Sequence, residues 1–511
     1  MRGPHNIWRL VQTGATFERT GAMHLVLEAM DAPPSLRIAA RILGWPFKLF
    51  GLKGDPSLPP VSRALSALGP AYIKFGQIFS TRPDLVGDQM AAELKMLQDD
   101  LPEFDIEIAK KEIAKELGAP VDKLFSSFSE PVAAASLAQV HKAVVAETGR
   151  TVAVKVLRPN IERAFLRDVD AFYFAAGMIE LIAPSSRRLK PSAVIGHFES
   201  VVQGELDLRS EAAAAAEFRA NTEGDEGFTV PEVIWPLSAR RVMTLEWAEG
   251  TKFGDVGALV DQGANLTDLS RRVMQTFLKV ALRDGFFHGD MHQGNLKLSP
   301  SGDIIALDFG IMGRIDVYTR RVYAEILIGF LRRDYRRVAE VHFEAGYVPP
   351  TQDIDQFAQA LRSIGDPIFG QSSSNISMAR VLAHLFDVTE RFGMETRTEL
   401  ILLQRTMVVV EGVARSLDPH MNLWETSRPV VEAYIRDNLG PQAVFKDLAK
   451  TVRVLSRFGP LLPGMAEDYL IQVNRAKSGP VKEPHKPKWR WMFLGGGVGV
   501  AATAALMLLL F

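Results

Sequence analysis

Apolar and polar positions change their spacing twice along this chain, and the changes divide it. Roughly the first 120 residues read as helical. From Leu124 to Glu246 short β-like runs take over, "VHKAVVAE", "TVAVKVL" and "RVMTLEW". The first two flank Thr148-Gly149-Arg150, a sequence suited to a hairpin turn. A helical block from Asn160 to Asn221 interrupts the strands. Past Gly250 the helical period returns. Leu266, Leu269, Val273, Phe277 and Val280 share one face, and Asp284-Gly285 ends that helix.

The pattern breaks again at the far end. Residues 477–488, "KSGPVKEPHKPK", carry three prolines and no apolar period, and read as a linker. Trp491 to Phe511 contains no charged residue. As a helix it would reach roughly 31 Å, close to a bilayer core. Six basic residues between Arg475 and Arg490 precede it, with Glu483 opposing them. The sequence therefore predicts a single C-terminal transmembrane anchor at a bacterial inner (cytoplasmic) membrane, with everything before it on the cytoplasmic side. Gly495 and Gly499 form a GxxxG pair through which two such helices would approach as a homodimer. Residues 35–53 carry Arg37, Arg41, Lys48 and Lys53 and no acid. That stretch suits an anionic membrane surface, or equally a helix packed on the rest of the protein.

These boundaries give five segments: a helical extension (1–120), a small β-rich lobe with a helical insertion (121–247), a larger helical lobe (248–476), the linker (477–488) and the anchor (489–511). The expected fold class is α+β. It is a protein-kinase-like two-lobed fold with an N-terminal helical extension and a C-terminal transmembrane helix.

Composition narrows the chemistry. The net charge of −1 offers no basic field for nucleic acid. The absence of cysteine excludes disulfides, thiolate metal sites and cysteine nucleophiles.

Phosphoryl transfer asks a protein for magnesium, charge neutralisation and positioning. In "HGDMHQGN", Asp290 and Asn295 stand at the spacing of a kinase catalytic loop. Eighteen residues after Asp290, Asp308 opens Asp-Phe-Gly at the end of the apolar run "DIIAL", leaving room for one hairpin between them. Mg²⁺ prefers such hard oxygen ligands, so Asp308 and Asn295 are the metal candidates and Asp290 the catalytic one. Lys155 sits mid-strand in "VAVKV", where a lysine is costly without anions beside it. ATP phosphates and a helix glutamate, Glu211, would satisfy it. Asp207 and Glu211 are spaced four apart on one expected helix, with Glu205 about 160° round from Asp207. The phosphate-covering segment is unusual. Where a protein kinase has glycines, "PVAAASLAQVH" offers Ala133, Ala134, Ala135 and Ser136, which resist positive φ. Glu246, closing "RVMTLE", joins the nucleotide-binding candidates. No Ala-Pro-Glu follows Asp308, so a usual peptide-docking anchor is missing.

Taken together with "LGPAYIKFGQIFSTRPDL", these motifs resemble the UbiB family of atypical kinase-like proteins, which support ubiquinone biosynthesis. The resemblance runs from about Leu68 to Gly310 and includes Lys74-Phe75-Gly76-Gln77 as the family's Lys-x-Gly-Gln motif. It implies that this helix shields the cleft from peptides, with Glu205 and Asp207 holding Lys74 and Gln77. It also implies ATP with Mg²⁺ as cofactors, and ATPase behaviour coupled to a membrane lipid or polyprenyl-quinone precursor and to ubiquinone biosynthesis enzymes. The chain departs from the family in the alanine-rich "EAAAAAEF" after Glu211 and at Gln293, where proline is usual. The expectation is a membrane-anchored kinase-like ATPase. The alternatives are a lipid or small-molecule phosphotransferase and a nucleotide-binding pseudokinase scaffold.

Overall fold

The computed structural model describes residues 5–29, 44–80, 88–94, 103–134, 137–182, 191–369 and 398–439, with isolated positions between them. They fall into two compact units. The first is drawn from residues 1–213 and 232–247, the second from 214–231 and 248–490.

The first unit is built on an antiparallel sheet of β1 (Phe125–Ala134), β2 (Ala138–Val145), β3 (Thr151–Leu157) and β4 (Val242–Glu246), in that spatial order. Side chains alternate along a strand, so Val152, Val154 and Val156 are all fully buried on one face of β3. They meet Phe125, Val145, Val242 and Ile113 there. Ile113 comes from helix Ile106–Leu117, which Asp105 caps by accepting from the Glu107 N–H; its chain turns out at Gly118, φ 74°. Between β2 and β3 the turn relies on Gly149 at φ 68°. Lys155 lies on the opposite face of an internal strand, paired with Val140 on one side and Met243 on the other.

Helices surround this sheet in the chain. Those that bear on the site are α1 (His5–Thr20), α2 (Pro60–Leu68), α3 (Pro70–Ser80), α4 (Ile161–Ile182), α5 (Pro191–Glu205) and α6 (Leu208–Thr222). Phe75 of α3 packs between Phe172 of α4 and Phe198 of α5, with ring centroids 5.1 and 5.2 Å away. Beneath them Tyr72 shares a 2.7 Å hydrogen bond with Thr13 of α1. Arg9 of α1 donates to the buried Asp168 of α4 at 2.5 Å. The 35–53 stretch is described in part. Trp45–Phe50 is a 3-10 turn whose Trp45, Leu49 and Phe50 are exposed, while the following backbone joins α1 through Arg19 and Thr16.

In the second unit α7 (Leu266–Lys279) begins at Asn265, whose side chain accepts from the Asp268 N–H. Leu269, Val273, Phe277 and Val280 are buried, in keeping with the 3.6-residue stripe. The helix widens into a single π turn and stops at Gly285, φ 66°. Strands β5 (Phe286–His288) and β8 (Met312–Arg314) pair with each other, and β6 (Leu296–Leu298) and β7 (Ile304–Ala306) form the hairpin between them. Helices α8 (Val317–Arg332), α9 (Tyr335–Glu344), α10 (Ile354–Phe369), α11 (Thr398–Leu417) and α12 (Leu423–Leu439) complete the unit.

One expectation is corrected here. Among the described residues no helix is long and apolar enough to cross a membrane. The segment that suggested such a helix, 491–511, lies outside them. A run of apolar residues satisfies a length criterion on paper without establishing a helix. The C-terminal transmembrane helix and the inner-membrane location are therefore not supported; the homodimer expected through Gly495 and Gly499 falls outside the described residues.

Burial also sets a pH response. His342 of α9 donates Nδ1–H to the Val338 carbonyl at 2.7 Å and stands edge-on to Phe357. Desolvation pushes its pKa down to about 4, whereas the unfolded chain titrates near 6.5. Between those values the unfolded state binds the extra proton, so stability present above pH ~6.5 is lost as pH falls toward 4. His342→Phe is expected to lose about 1–3 kcal/mol less than the parent between pH 7 and pH 4.5, measured as the shift in urea midpoint.

Candidate functional site

In the first unit two lysines meet two glutamates. Lys155 Nζ lies 2.7 and 2.9 Å from the two carboxylate oxygens of Glu211, and both side chains are largely buried. The pair follows from the fold: an internal strand has no solvent edge for a lysine, and the first turn of α6 presents a carboxylate to it. Lys74 of α3 forms the second pair, 2.8 Å from Glu205, with each side chain 15% exposed.

Glu205 and Asp207 separate because the helix does not run through them. α5 ends at Glu205, the Leu208 N–H turns to the Arg240 carbonyl, and α6 begins. Asp207 thus stands at an N-cap, a position that favours aspartate. Its carboxylate takes the backbone N–H and the guanidinium of Arg209, and Arg209 holds it below the usual carboxylate range. The break therefore separates Glu205 from Asp207, which caps the helix whose first turn carries Glu211. Gln77 reaches the Leu97 carbonyl through its amide, 3.4 Å away. Gly76, between the two motif side chains, is a packing requirement. A Cβ there would fall 2.3 Å from Leu97 and 2.7 Å from Leu65.

The alanines extend the sheet. Ala133 and Ala134 are the last residues of β1, paired with Val140 and Gln139, and neither has a positive φ. Ala135 and Ser136 lie outside the described residues. Behind this strand end, the buried His141 and Gln139 bond to each other at 2.9 Å, and His141 Nδ1 bonds to the Ser129 carbonyl at 2.8 Å. Glu246, at the end of β4, turns its carboxylate to Arg150, 3.8 Å away, and to the Glu232 backbone.

In the second unit three candidates converge through a residue the motif spacing passed over. His288 is fully buried. Its Nε2 donates to the Leu307 carbonyl at 2.9 Å, and its Nδ1 accepts the Asp290 N–H at 3.0 Å. That pattern requires a neutral ring, and desolvation lowers its pKa accordingly. One imidazole therefore joins the loop carrying Asp290 to the strand end carrying Asp308. Asn295 tightens the loop: its Nδ2 donates to the Asp290 carbonyl at 3.0 Å, and its carbonyl accepts the Leu307 N–H at 2.9 Å.

Asp308 itself takes φ 58°, an uncommon conformation for a side-chain-bearing residue, and its Oδ1 accepts the Gly310 N–H. Phe309, buried, packs against His288 and Phe218. The Asp290 side chain remains reachable at 38% exposure, with His292 Nε2 3.8 Å from it.

The donor set fits magnesium. Asp308 contributes carboxylate oxygen, and Asn295, its Nδ2 engaged, has Oδ1 to offer. Among the described residues no cluster of three or more His, Cys, Asp or Glu could enclose an ion. Two protein oxygens completed by phosphate and water are typical of Mg²⁺.

Against known proteins, residues 96–342 match the model of the ABC1 atypical kinase-like domain, and residues 361–422 that of the UbiB helical domain. The chain is 39% identical over 455 residues to a probable protein kinase UbiB from Marinobacter nauticus, covering 86% of this chain and 83% of that protein. It is 39% identical over 456 residues to the Pseudomonas putida counterpart, covering 86% and 84%. A solved structure, the Rv3197–erythromycin complex from Mycobacterium tuberculosis, aligns with a TM-score of 0.50 at 23% identity, over 72% of this chain and 93% of that one. At that identity the likeness speaks to the kinase-like fold alone.

Two substitutions test this geometry. Lys74→Ala is expected to destabilise the chain by about 1–3 kcal/mol, because it removes the cation 2.8 Å from a largely buried carboxylate. Removing Glu205 as well should recover part of that loss, read as a coupling energy in urea denaturation. Ala134→Gly, at the end of β1, should change ADP affinity by more than it changes the melting temperature, measured by titration calorimetry beside a thermal melt.

Proposed function

The chain belongs to the UbiB family of ABC1 atypical kinase-like proteins, and on that premise we propose that it binds ATP with Mg²⁺, hydrolyses it, and supports ubiquinone biosynthesis. The observation that carries this reading is the single imidazole of His288 that ties Asp290 to the strand end bearing Asp308. Such a tie fixes two carboxylates in one frame, which is what phosphoryl transfer requires of a protein.

In this reading Lys155, itself aligned by Glu211, neutralises phosphate charge. Magnesium, when bound through Asp308 and Asn295, supplies further neutralisation of the phosphate oxygens. Asp290 orients the water or hydroxyl that accepts the phosphoryl group. Lys74 and Glu205 fix the Lys-x-Gly-Gln helix within the first unit. The missing Ala-Pro-Glu sequence supports an acceptor other than a polypeptide. The energy released would give ubiquinone-pathway enzymes access to a greasy polyprenyl-quinone precursor.

Asp308→Asn should reduce phosphate release by about 100-fold or more while the fold persists, since asparagine tolerates positive φ but is a poorer magnesium ligand. Labelled ATP distinguishes the products: free phosphate supports the ATPase, and a labelled lipid points to a phosphotransferase. In a deletion strain the parent gene should clear accumulated quinone intermediates and the Asn variant should not. Full complementation by the variant would mean that a catalytically silent scaffold suffices.

A further inference from the structure

Helix α11 lies in the segment matched by the UbiB helical domain and touches the catalytic loop directly. Thr406, fully buried, donates its hydroxyl to the Gly289 carbonyl at 3.0 Å, one residue before Asp290. Leu402, a turn earlier, closes the same contact: a Cβ on Gly289 would meet its side chain at 3.4 Å. The residue beside Thr406 is Arg405.

Arg405 is exposed to solvent. Nearby protein nevertheless crowds it enough that desolvation holds its pKa below the usual arginine value, and Asp290 pulls it the other way. Among the described residues it has no hydrogen bond and no ion pair, in contrast to Arg415 on the same helix, which pairs with Glu411 at 2.8 Å. Asp290 is within reach of its field but not of its hydrogen bonds.

We propose that Arg405 is a catalytic residue whose guanidinium binds the oxygens of the phosphoryl group in transfer, held at the acceptor side of Asp290 by the Thr406–Gly289 bond. This deepens the ATPase reading and rests on it. A planar fork of N–H donors suits phosphoryl oxygens, and a cation without a protein partner has no bond to break before it engages them. A lysine would bring charge without the fork. No atom is gained or lost by Arg405. It stabilises negative charge while the phosphorus–oxygen bond to the leaving diphosphate breaks and the bond to the acceptor forms, Asp290 taking the acceptor's proton.

The test uses the full chain, its parent form beside Arg405→Ala and Arg405→Lys. Phosphate release is expected to fall about 100-fold in the alanine variant, the order that loss of one preorganised donor costs. Lysine should restore only part of it, and free guanidinium chloride should raise the alanine variant but not the parent. Binding gives a second readout. A non-hydrolysable ATP analogue should lose about tenfold in affinity while ADP, which lacks the γ-phosphate, is unchanged.

Release within twofold of the parent, or equal losses for the analogue and ADP, overturns the role of Arg405. If the alanine variant melts early, the lysine variant decides by the same two ratios. A parent that neither binds the analogue nor releases phosphate overturns the functional reading together with this one. A working parent matched by its variants overturns only the role of Arg405.

Discussion

One neutral, buried imidazole organises the second unit. His288 uses both ring nitrogens, one as donor and one as acceptor, so its tautomer is fixed by its neighbours. Its partners belong to two segments separated in the chain by the β6–β7 hairpin. Removing the ring would take a partner from the Leu307 carbonyl and from the Asp290 N–H together, and the Asp290 loop would lose its reference to Asp308. The Asn295 bonds repeat the connection from the other side of the loop, so the frame is doubly tied. Buried polar networks of this kind are stiff because every member is satisfied.

The first unit solves a different problem, how to keep charge inside a sheet. Lys155 and Lys74 each sit where an unpaired ammonium would be costly, and each meets a glutamate at hydrogen-bond distance. The two glutamates lie on consecutive helices whose junction is set by Asp207. An aspartate with no direct part in either pair thus sets the angle at which both are delivered.

Much of this was legible from residue spacing. The apolar stripe of α7, the hairpin between the two acidic motifs and the pairing of Lys155 with Glu211 all follow from periodicity and from the cost of a lone buried charge. The helix break at Asp207 was not, because the alanine-rich run beyond it promises uninterrupted helix and only the capping preference of aspartate argues otherwise. The alanines read as a loop because glycines occupy that place in related machinery. Yet alanine accepts extended backbone readily, and β1 absorbs two of them. His288 was in plain sight within its motif, but its importance lies in what both nitrogens touch, which no spacing reveals. Arg405 carries no local signal at all. Its placement comes from a tertiary contact, Thr406 on Gly289, bridging 117 positions of sequence. The apolar tail, 491–511, lies outside the described residues, among which no helix is long and apolar enough to cross a membrane.

The alternation in β3 limits how this chain can vary in length. With three valines facing one way and Lys155 the other, a single-residue insertion or deletion between Gly149 and Lys155 would invert every side chain that follows relative to the hairpin. The ammonium would enter the valine layer and a valine would take its place before Glu211. Only changes by two keep the parity, so viable relatives should conserve the odd or even count of residues from turn to lysine even where the turn itself is redrawn.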